Sequence, residues 1–391
     1  MSILICRTFA IALILASTPS TCVHAASPAG VSPLEVSLPS GEPSGNSIND
    51  RLRLAFYPAI RSAERPAPAV VLLHALGERH LRLMRRFARY LAGHGIAGAV
   101  MTLPYHMSRC PPGERPGGRF THPDVDRMVQ ALSQSAADVS TAVTWLTRQP
   151  GVDPHRIGAV GISLGAIIVH LAMGEDERLT AGVAIMGGGN LADLRRTSLV
   201  FKLRRDYAAE PLSPGEEARL RQADPLHYAD RNRPRRVLMI QAARDLIIPP
   251  RDALVLWEAL GRPPIQWVDT NHFALGLTPR SVMAASAAYL YSVWREAPLA
   301  PGAVPTIRVP TLKTGLVFGL DAAATPAIEW QAYSFSRRHD HLSRLHADLG
   351  WSGRGPFVGL AATLNAYLDI GLGHRLGGDN MRPYASLHIV F

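Results

Sequence analysis

Hydrophobic residues follow two different rhythms along this chain, and the change falls between residues 295 and 310. Upstream, short, mostly apolar runs at 70–73, 96–103, 156–160, 182–186, 236–241 and 265–268 have the length and density of strands buried on both faces. Between them lie stretches of helical pattern: 80–93, 125–148, 166–173, 251–260 and a final one ending at Trp294. Segment 51–57 alternates charged and apolar residues as an edge strand does, and 34–38 offers one more short strand. Strands that alternate with helices predict an α/β domain, a mainly parallel twisted sheet with helices on both faces. A charge-rich helical stretch, 190–233, interrupts that alternation as a cap-like insert.

Downstream the period is two. Leu360, Ala362, Leu364, Ala366, Leu368, Ile370 and Leu372 share one face of a strand, with Thr363, Asn365, Tyr367 and Asp369 on the other. Leu345, Ala347, Leu349 and Trp351 alternate with Arg344, His346 and Asp348, and the chain ends Ala385, Leu387, Ile389, Phe391 in the same rhythm. This predicts a C-terminal antiparallel β module. Pro298, Pro301, Pro305 and Pro310 mark the stiff segment that separates it. The expected organisation is therefore a signal segment (1–25), a leader with edge strands (26–66), an α/β domain (67–296), a Pro-rich linker (297–310) and the β module (311–391).

Composition narrows the function classes. With 391 residues and 47% hydrophobic content the chain can bury a large core, which excludes a disordered protein. The net charge of +10 is almost wholly arginine, since Lys202 and Lys313 are the only lysines, and it is spread along the chain. A nucleic-acid partner would need clustered charge interleaved with aromatics, so none is expected. Arg7, the apolar run 9–16, Pro19 and the small residues up to Ala25 have the form of a secretory signal peptide cleaved after Ala25. Eight or so apolar residues are far fewer than the roughly 20 that span a bilayer as a helix. The expected location is thus outside the cytoplasm, periplasmic or extracellular. Cleavage removes Cys6 and Cys22 and leaves Cys110, which alone cannot form an intramolecular disulfide.

One motif carries chemistry. Gly161-Ile162-Ser163-Leu164-Gly165 follows a strand-like run and opens an apolar helical one. A serine on such a strand-to-helix turn projects its hydroxyl from the sheet edge, and glycines two residues away on each side remove Cβ atoms that would clash. Serine needs a base to become a nucleophile and a carboxylate to orient that base. Asp245 lies just beyond the strand at 236–241 and His272 just beyond the strand at 265–268, both at the carboxyl edge where parallel sheets gather functional groups. Asp269 and Asp252 compete for the carboxylate role, His170 and His94 for the base.

The order Ser163, Asp245, His272 over residues 67–295 resembles the α/β-hydrolase superfamily. Pro104-Tyr105 after the strand at 96–103 is similar to segments in dienelactone-hydrolase-like and acetyl-xylan-esterase-like relatives, which makes Tyr105 and His106 candidates for the substrate pocket. The resemblance implies an oxyanion hole from the backbone N–H groups of Leu164 and Leu76. The loop that holds Leu76 reads His74-Ala75-Leu76-Gly77, with alanine where the superfamily usually has glycine.

The resemblance implies no cofactor and a small-molecule carboxylic ester as substrate. Peptidases of the prolyl-oligopeptidase type share the triad order, but Ala166 stands where they usually carry another glycine. A non-catalytic, envelope-anchored protein on a hydrolase scaffold is the third reading. No metal site is expected: His339, Asp340, His341 and His346 crowd together without convergent spacing. The C-terminal alternation resembles the closing strands of outer-membrane β-barrels, so outer-membrane association through 311–391 is one expectation. About five strands are too few to close alone, and the preferred expectation is a small sheet packed with one face on the α/β domain.

Overall fold

The computed structural model describes residues 32–60, 66–204, 211–233, 235–273, 279–295, 304–307, 311–319, 324–337, 343–353, 355–365, 367–376 and 381–390. The signal segment 1–25, most of the Pro-rich linker and the cluster 339–341 lie outside them.

Eight strands form one sheet in the order β1-β2-β4-β3-β5-β6-β7-β8. β3 (Ala67–Leu73), β4 (Ala97–Thr102), β5 (Val152–Ile162), β6 (Leu179–Ile185), β7 (Arg236–Ala242) and β8 (Ile265–Val268) run parallel. β1 (Leu34–Pro39) and β2 (Arg51–Tyr57) are antiparallel additions beside β4. The segment 51–57 is thus not the edge strand that its alternation suggests. β1 lies outside it, and the exposed pattern of β1 is the one an edge imposes.

The mostly apolar runs are explained by cover on both faces. In β3, Ala69, Val71 and Leu73 face one core while Val70 and Leu72 face the other. One layer contains α1 (Arg82–Gly93) and the final helix of the domain (Pro279–Trp294). The opposite layer contains α2 (Val125–Leu146), capped by the Asp124 carboxylate on the N–H groups of Asp126 and Arg127, and α3 (Leu164–Glu175). The insert supplies α4 (Leu191–Thr197), α5 (Leu199–Lys202), α6 (Pro214–Gln222) and α7 (Ala229–Asn232) to that same side. α8 (Pro250–Ala259) follows β7, and the helix Pro279–Trp294 is α9.

Beyond the linker, β9 (Thr311–Gly319), β10 (Thr325–Arg337), β11 (Ser343–Ser352), β12 (Gly355–Asn365), β13 (Leu368–Arg375) and β14 (Met381–Val390) close into a six-stranded antiparallel barrel. The expected open sheet packed on the α/β domain is therefore wrong, because β14 pairs with β9 and leaves no edge. The face read as one strand through 360–372 is likewise two strands joined by a tight hairpin. The pairing of Asn365 with Leu368 by itself reverses the parity of the alternation, but the register shift between Thr363 and Asn365 restores it, so that Leu360 opposes Leu372 and the turn is invisible to period-two reading. The barrel meets the α/β domain at the loop after β8. Thr311 Oγ1 donates to the Asp269 carbonyl at 2.9 Å, and Gln331 Nε2 donates to the Asp269 carboxylate at 3.3 Å.

Candidate active site

β5 delivers Ser163 to the carboxyl edge of the sheet. The residue has φ 56° and ψ −113°, a left-handed conformation that costs a non-glycine residue about 1–3 kcal/mol and survives only where the surroundings enforce it. Here they do. A Cβ on Gly161 would lie 2.2 Å from the Gly165 carbonyl oxygen, and one on Gly165 would lie 2.3 Å from the Leu73 carbonyl oxygen. The two glycines let strand and helix cross closely enough to make the turn, and Ser163 N–H is held by the Ile185 carbonyl at 2.8 Å.

The turn after β7 fixes the carboxylate. Asp245 Oδ1 accepts from the backbone N–H groups of Ile247 at 2.8 Å and Ile248 at 2.9 Å, so the side chain closes its own loop. Its other oxygen, Oδ2, lies 2.6 Å from Nδ1 of His272, and His272 Nε2 lies 2.9 Å from Ser163 Oγ. With Nδ1–H donating to Asp245, Nε2 is left as the acceptor for the serine hydroxyl. All three side chains are buried. Desolvation there strengthens each contact relative to water.

The competitors lie elsewhere. Asp269 pairs with Arg244 at 2.7 Å. Asp252 is fully buried at the start of α8, where burial and then Asp193 push its carboxyl up to about 7. His170 is enclosed within α3 and burial lowers it to about 4; His94 is exposed and stacks on Tyr90.

Leu164 opens α3, where a helix leaves its first N–H groups free of intrahelical partners, and Leu76 lies in the loop after β3. Both line the cavity in front of Ser163. Neither Tyr105 nor His106 does. Tyr105 is buried with φ 56°, under the Arg119 guanidinium at 5.0 Å.

His106 is buried beneath the loop instead. Its Nδ1 meets the Pro104 carbonyl at 2.8 Å, which leaves Nε2 to accept from Gly77 N–H at 3.0 Å. His74 does the same on the other flank, with Nδ1 on the Ala75 carbonyl at 2.8 Å and Nε2 accepting from Leu103 N–H at 3.1 Å. Burial lowers His106 to about 4 and His74 to about 3, and the neighbouring His106 adds to the effect on His74. Both rings stay neutral at ordinary pH and brace the loop as acceptors. Sequence reading missed this role because the pairing depends on two strand ends that meet only in the sheet.

The cavity has a volume of about 380 Å³. Met128 and Leu132 of α2, Leu191 and Leu194 of α4, and Val200 and Phe201 of α5 supply its hydrocarbon walls, so the insert faces the site. Among the described lining residues only Glu78, Thr121 and Ser198 add polar side chains beyond Ser163 and His272. Burial pushes the Glu78 carboxyl up. In the barrel, His346, Asp348 and Asp369 come close enough to ligate a metal, a convergence that spacing did not reveal. The Lys313 ammonium already sits among them, 2.8 Å from His346 Nε2, 3.1 Å from Asp348 and 2.7 Å from Asp369.

A model of the prolyl oligopeptidase family matches residues 130–274, from α2 to just past His272. No curated protein sequence matches the chain. Among solved structures it is similar to an acylaminoacyl peptidase of Pyrococcus horikoshii, with 15% identity over 70% of this chain and 44% of that one and a TM-score of 0.50. It is also similar to 2,6-dihydroxy-pseudo-oxynicotine hydrolase (19% identity, 69% and 70% covered, TM-score 0.47) and to Est1E of Butyrivibrio proteoclasticus bound to ferulic acid (14% identity, 63% and 96% covered, TM-score 0.48). The chain spans less than half the length of the peptidase, and at this identity the likeness shows the fold alone.

Proposed function

Because the chain belongs to the α/β-hydrolase superfamily, we propose that it is an exported serine hydrolase that cleaves carboxylic esters with apolar acyl groups. The observation that carries this reading is the relay from Asp245 through His272 to Ser163, opening on a hydrocarbon-walled cavity. Ser163 Oγ attacks the ester carbonyl while His272 Nε2 takes the hydroxyl proton, and Asp245 holds the imidazole in the tautomer that can do so. The N–H groups of Leu164 and Leu76 receive the oxyanion, a contribution of about 3 kcal/mol per donor in comparable sites. The imidazolium then protonates the leaving alcohol, which departs to leave an acyl-serine. Water repeats the sequence and frees the acid.

Turnover of a short-chain aryl ester, and labelling of Ser163 by a fluorophosphonate, are the tests. Both must vanish in Ser163→Ala; a variant as active as the parent removes the assignment. If the cavity takes the acyl group, kcat/KM rises by about fourfold per added methylene until the cavity is full, from roughly 0.8 kcal/mol per buried CH₂.

The family match over 130–274 favours a second reading, a peptidase. A peptide brings backbone donors and acceptors that need partners, and the described cavity walls offer few. Comparing an aryl ester with the anilide of the same acyl group separates the two: a peptidase cleaves the anilide as well as the ester, whereas an esterase turns over the ester alone. Export rests on the signal segment at 1–25, and a mature chain that begins at Ala26, read by mass, is the expected product.

A further inference from the structure

The barrel is inside out for a protein in water. Of the twenty-five large hydrophobic side chains exposed among the described residues, eighteen lie between 311 and 390. They project from all six strands, Leu316, Ile328, Leu349, Leu360, Leu372 and Leu387 among them. The lumen is the opposite: Lys313, Asp348, Asp369, His346, Glu329 and His388 are buried within it. Lys313 bonds His346, Asp348 and Asp369, so the interior is filled by a paired ionic network and leaves a plug, not a channel.

We propose that residues 311–390 are a membrane-spanning anchor whose outer surface is covered by lipid acyl chains. Apolar side chains on every strand need a partner that surrounds the barrel, and a second protein copy on one side would leave the rest of the circumference wet. Closure through the β9–β14 pair satisfies the backbone without water, which is the condition that hydrocarbon imposes on strands. The strands have 8 to 13 residues. At about 3.3 Å per residue and a tilt of roughly 40°, that is 20–33 Å of height, matching an apolar band of about 25 Å. Tyr333 and Phe335 lie near the end that meets Asp269 and Trp351 near the far end, as aromatic residues do at the two interfaces. No described helix is long and apolar enough to cross a membrane, so the strands carry the anchor alone. Because the contact with the α/β domain is at Asp269, the rim that carries His272 lies toward the bilayer surface.

The test uses the full chain with vesicles of phosphatidylethanolamine and phosphatidylglycerol. The wild type is expected to float with the vesicles after an alkaline carbonate wash, and brominated acyl chains are expected to quench Trp330 and Trp351, with the quenching lost in Trp330→Phe/Trp351→Phe. Leu360→Arg/Leu372→Arg should cut the floating fraction by about tenfold or more while turnover of a soluble ester stays unchanged. A wild-type chain that stays in solution without detergent, as a monomer or as a discrete oligomer, overturns the proposal, and so does a floating chain whose tryptophans are not quenched. Loss of flotation with intact ester turnover leaves the hydrolase reading untouched, so the two proposals fail separately.

Discussion

Gly165 and Leu73 approach so closely that a single methyl group separates the wild-type elbow from an impossible one. The Cβ of an alanine at 165 would lie 2.3 Å from the Leu73 carbonyl oxygen, and both partners are backbone. Neither can swing aside as a flexible side chain would. Gly165→Ala is therefore expected to push α3 away from β3 and carry Ser163 out of reach of His272. Displacements of about 1 Å cost on the order of 10²-fold in rate. Ester turnover by a folded Gly165→Ala protein should fall by at least that much, and near-native kcat/KM would count against the steric account.

Asp245 spends one oxygen on its own loop and the other on His272. Asp245→Asn keeps the shape but presents an amide where an acceptor is needed, so the imidazole turns to the wrong tautomer. A drop of about 10⁴-fold in kcat is expected, with little change in KM. Asp252→Asn, at a carboxyl with no contact to the triad, should leave the aryl-ester kcat within a few-fold of wild type. Steady-state kinetics on the two variants decides which carboxylate serves.

Acid should unfold the α/β domain through its buried imidazoles. His74, His106 and His170 are held down to about 3, 4 and 4, below their ordinary value near 6.5, chiefly because burial disfavours the charged ring. The unfolded chain therefore binds protons that the folded chain refuses. This stability is whole above pH 6.5 and drains away as the pH falls through about 4. Between pH 7 and pH 5 each ring contributes a loss on the order of 2 kcal/mol. The urea midpoint should fall over that range, and His106→Gln, which keeps an acceptor for Gly77 N–H, should flatten the dependence. An unchanged midpoint at pH 5 contradicts the prediction.

Arg109 and Asp138 form an ion pair at 2.7 Å with both side chains fully buried. The guanidinium also donates to the carbonyls of Asn49 and Thr102, and the carboxylate accepts from Ser40 Oγ and Gly41 N–H. The pair thus ties the leader segment to α2 and the end of β4. Asp138→Ala strands a buried guanidinium and is expected to cost about 3–5 kcal/mol in denaturant unfolding. Replacing both partners with apolar residues should cost less than this single change.

Narrowing the cavity tests the role of the insert. Leu194 and Phe201 lie on short helices that a sequence reader could equally assign to a surface pair. Leu194→Trp should lower kcat/KM for medium-chain aryl esters by tenfold or more and leave acetate esters nearly unchanged. Equal losses on both would mean that the acyl group binds elsewhere.

What the sequence determined by itself is what short windows contain. Near-continuous apolar runs record burial on both faces of a parallel sheet, as in β3 and the second half of β5. Gly161 and Gly165 record a backbone crossing that no side chain tolerates, and the strand ends before Asp245 and His272 record a shared edge. The tertiary structure alone decided the rest. The loop that holds Leu76 is braced by His74 and His106 because the ends of β3 and β4 are neighbours in the sheet, a pairing with no trace in spacing. Barrel closure was hidden likewise. The register shift between Thr363 and Asn365 preserves the parity of the alternation across the turn from β12 to β13, so the count of strands and the meeting of β14 with β9 depend on register across the chain. Local sterics and burial are written residue by residue, whereas which strand ends meet is settled only when the sheet twists and the barrel closes.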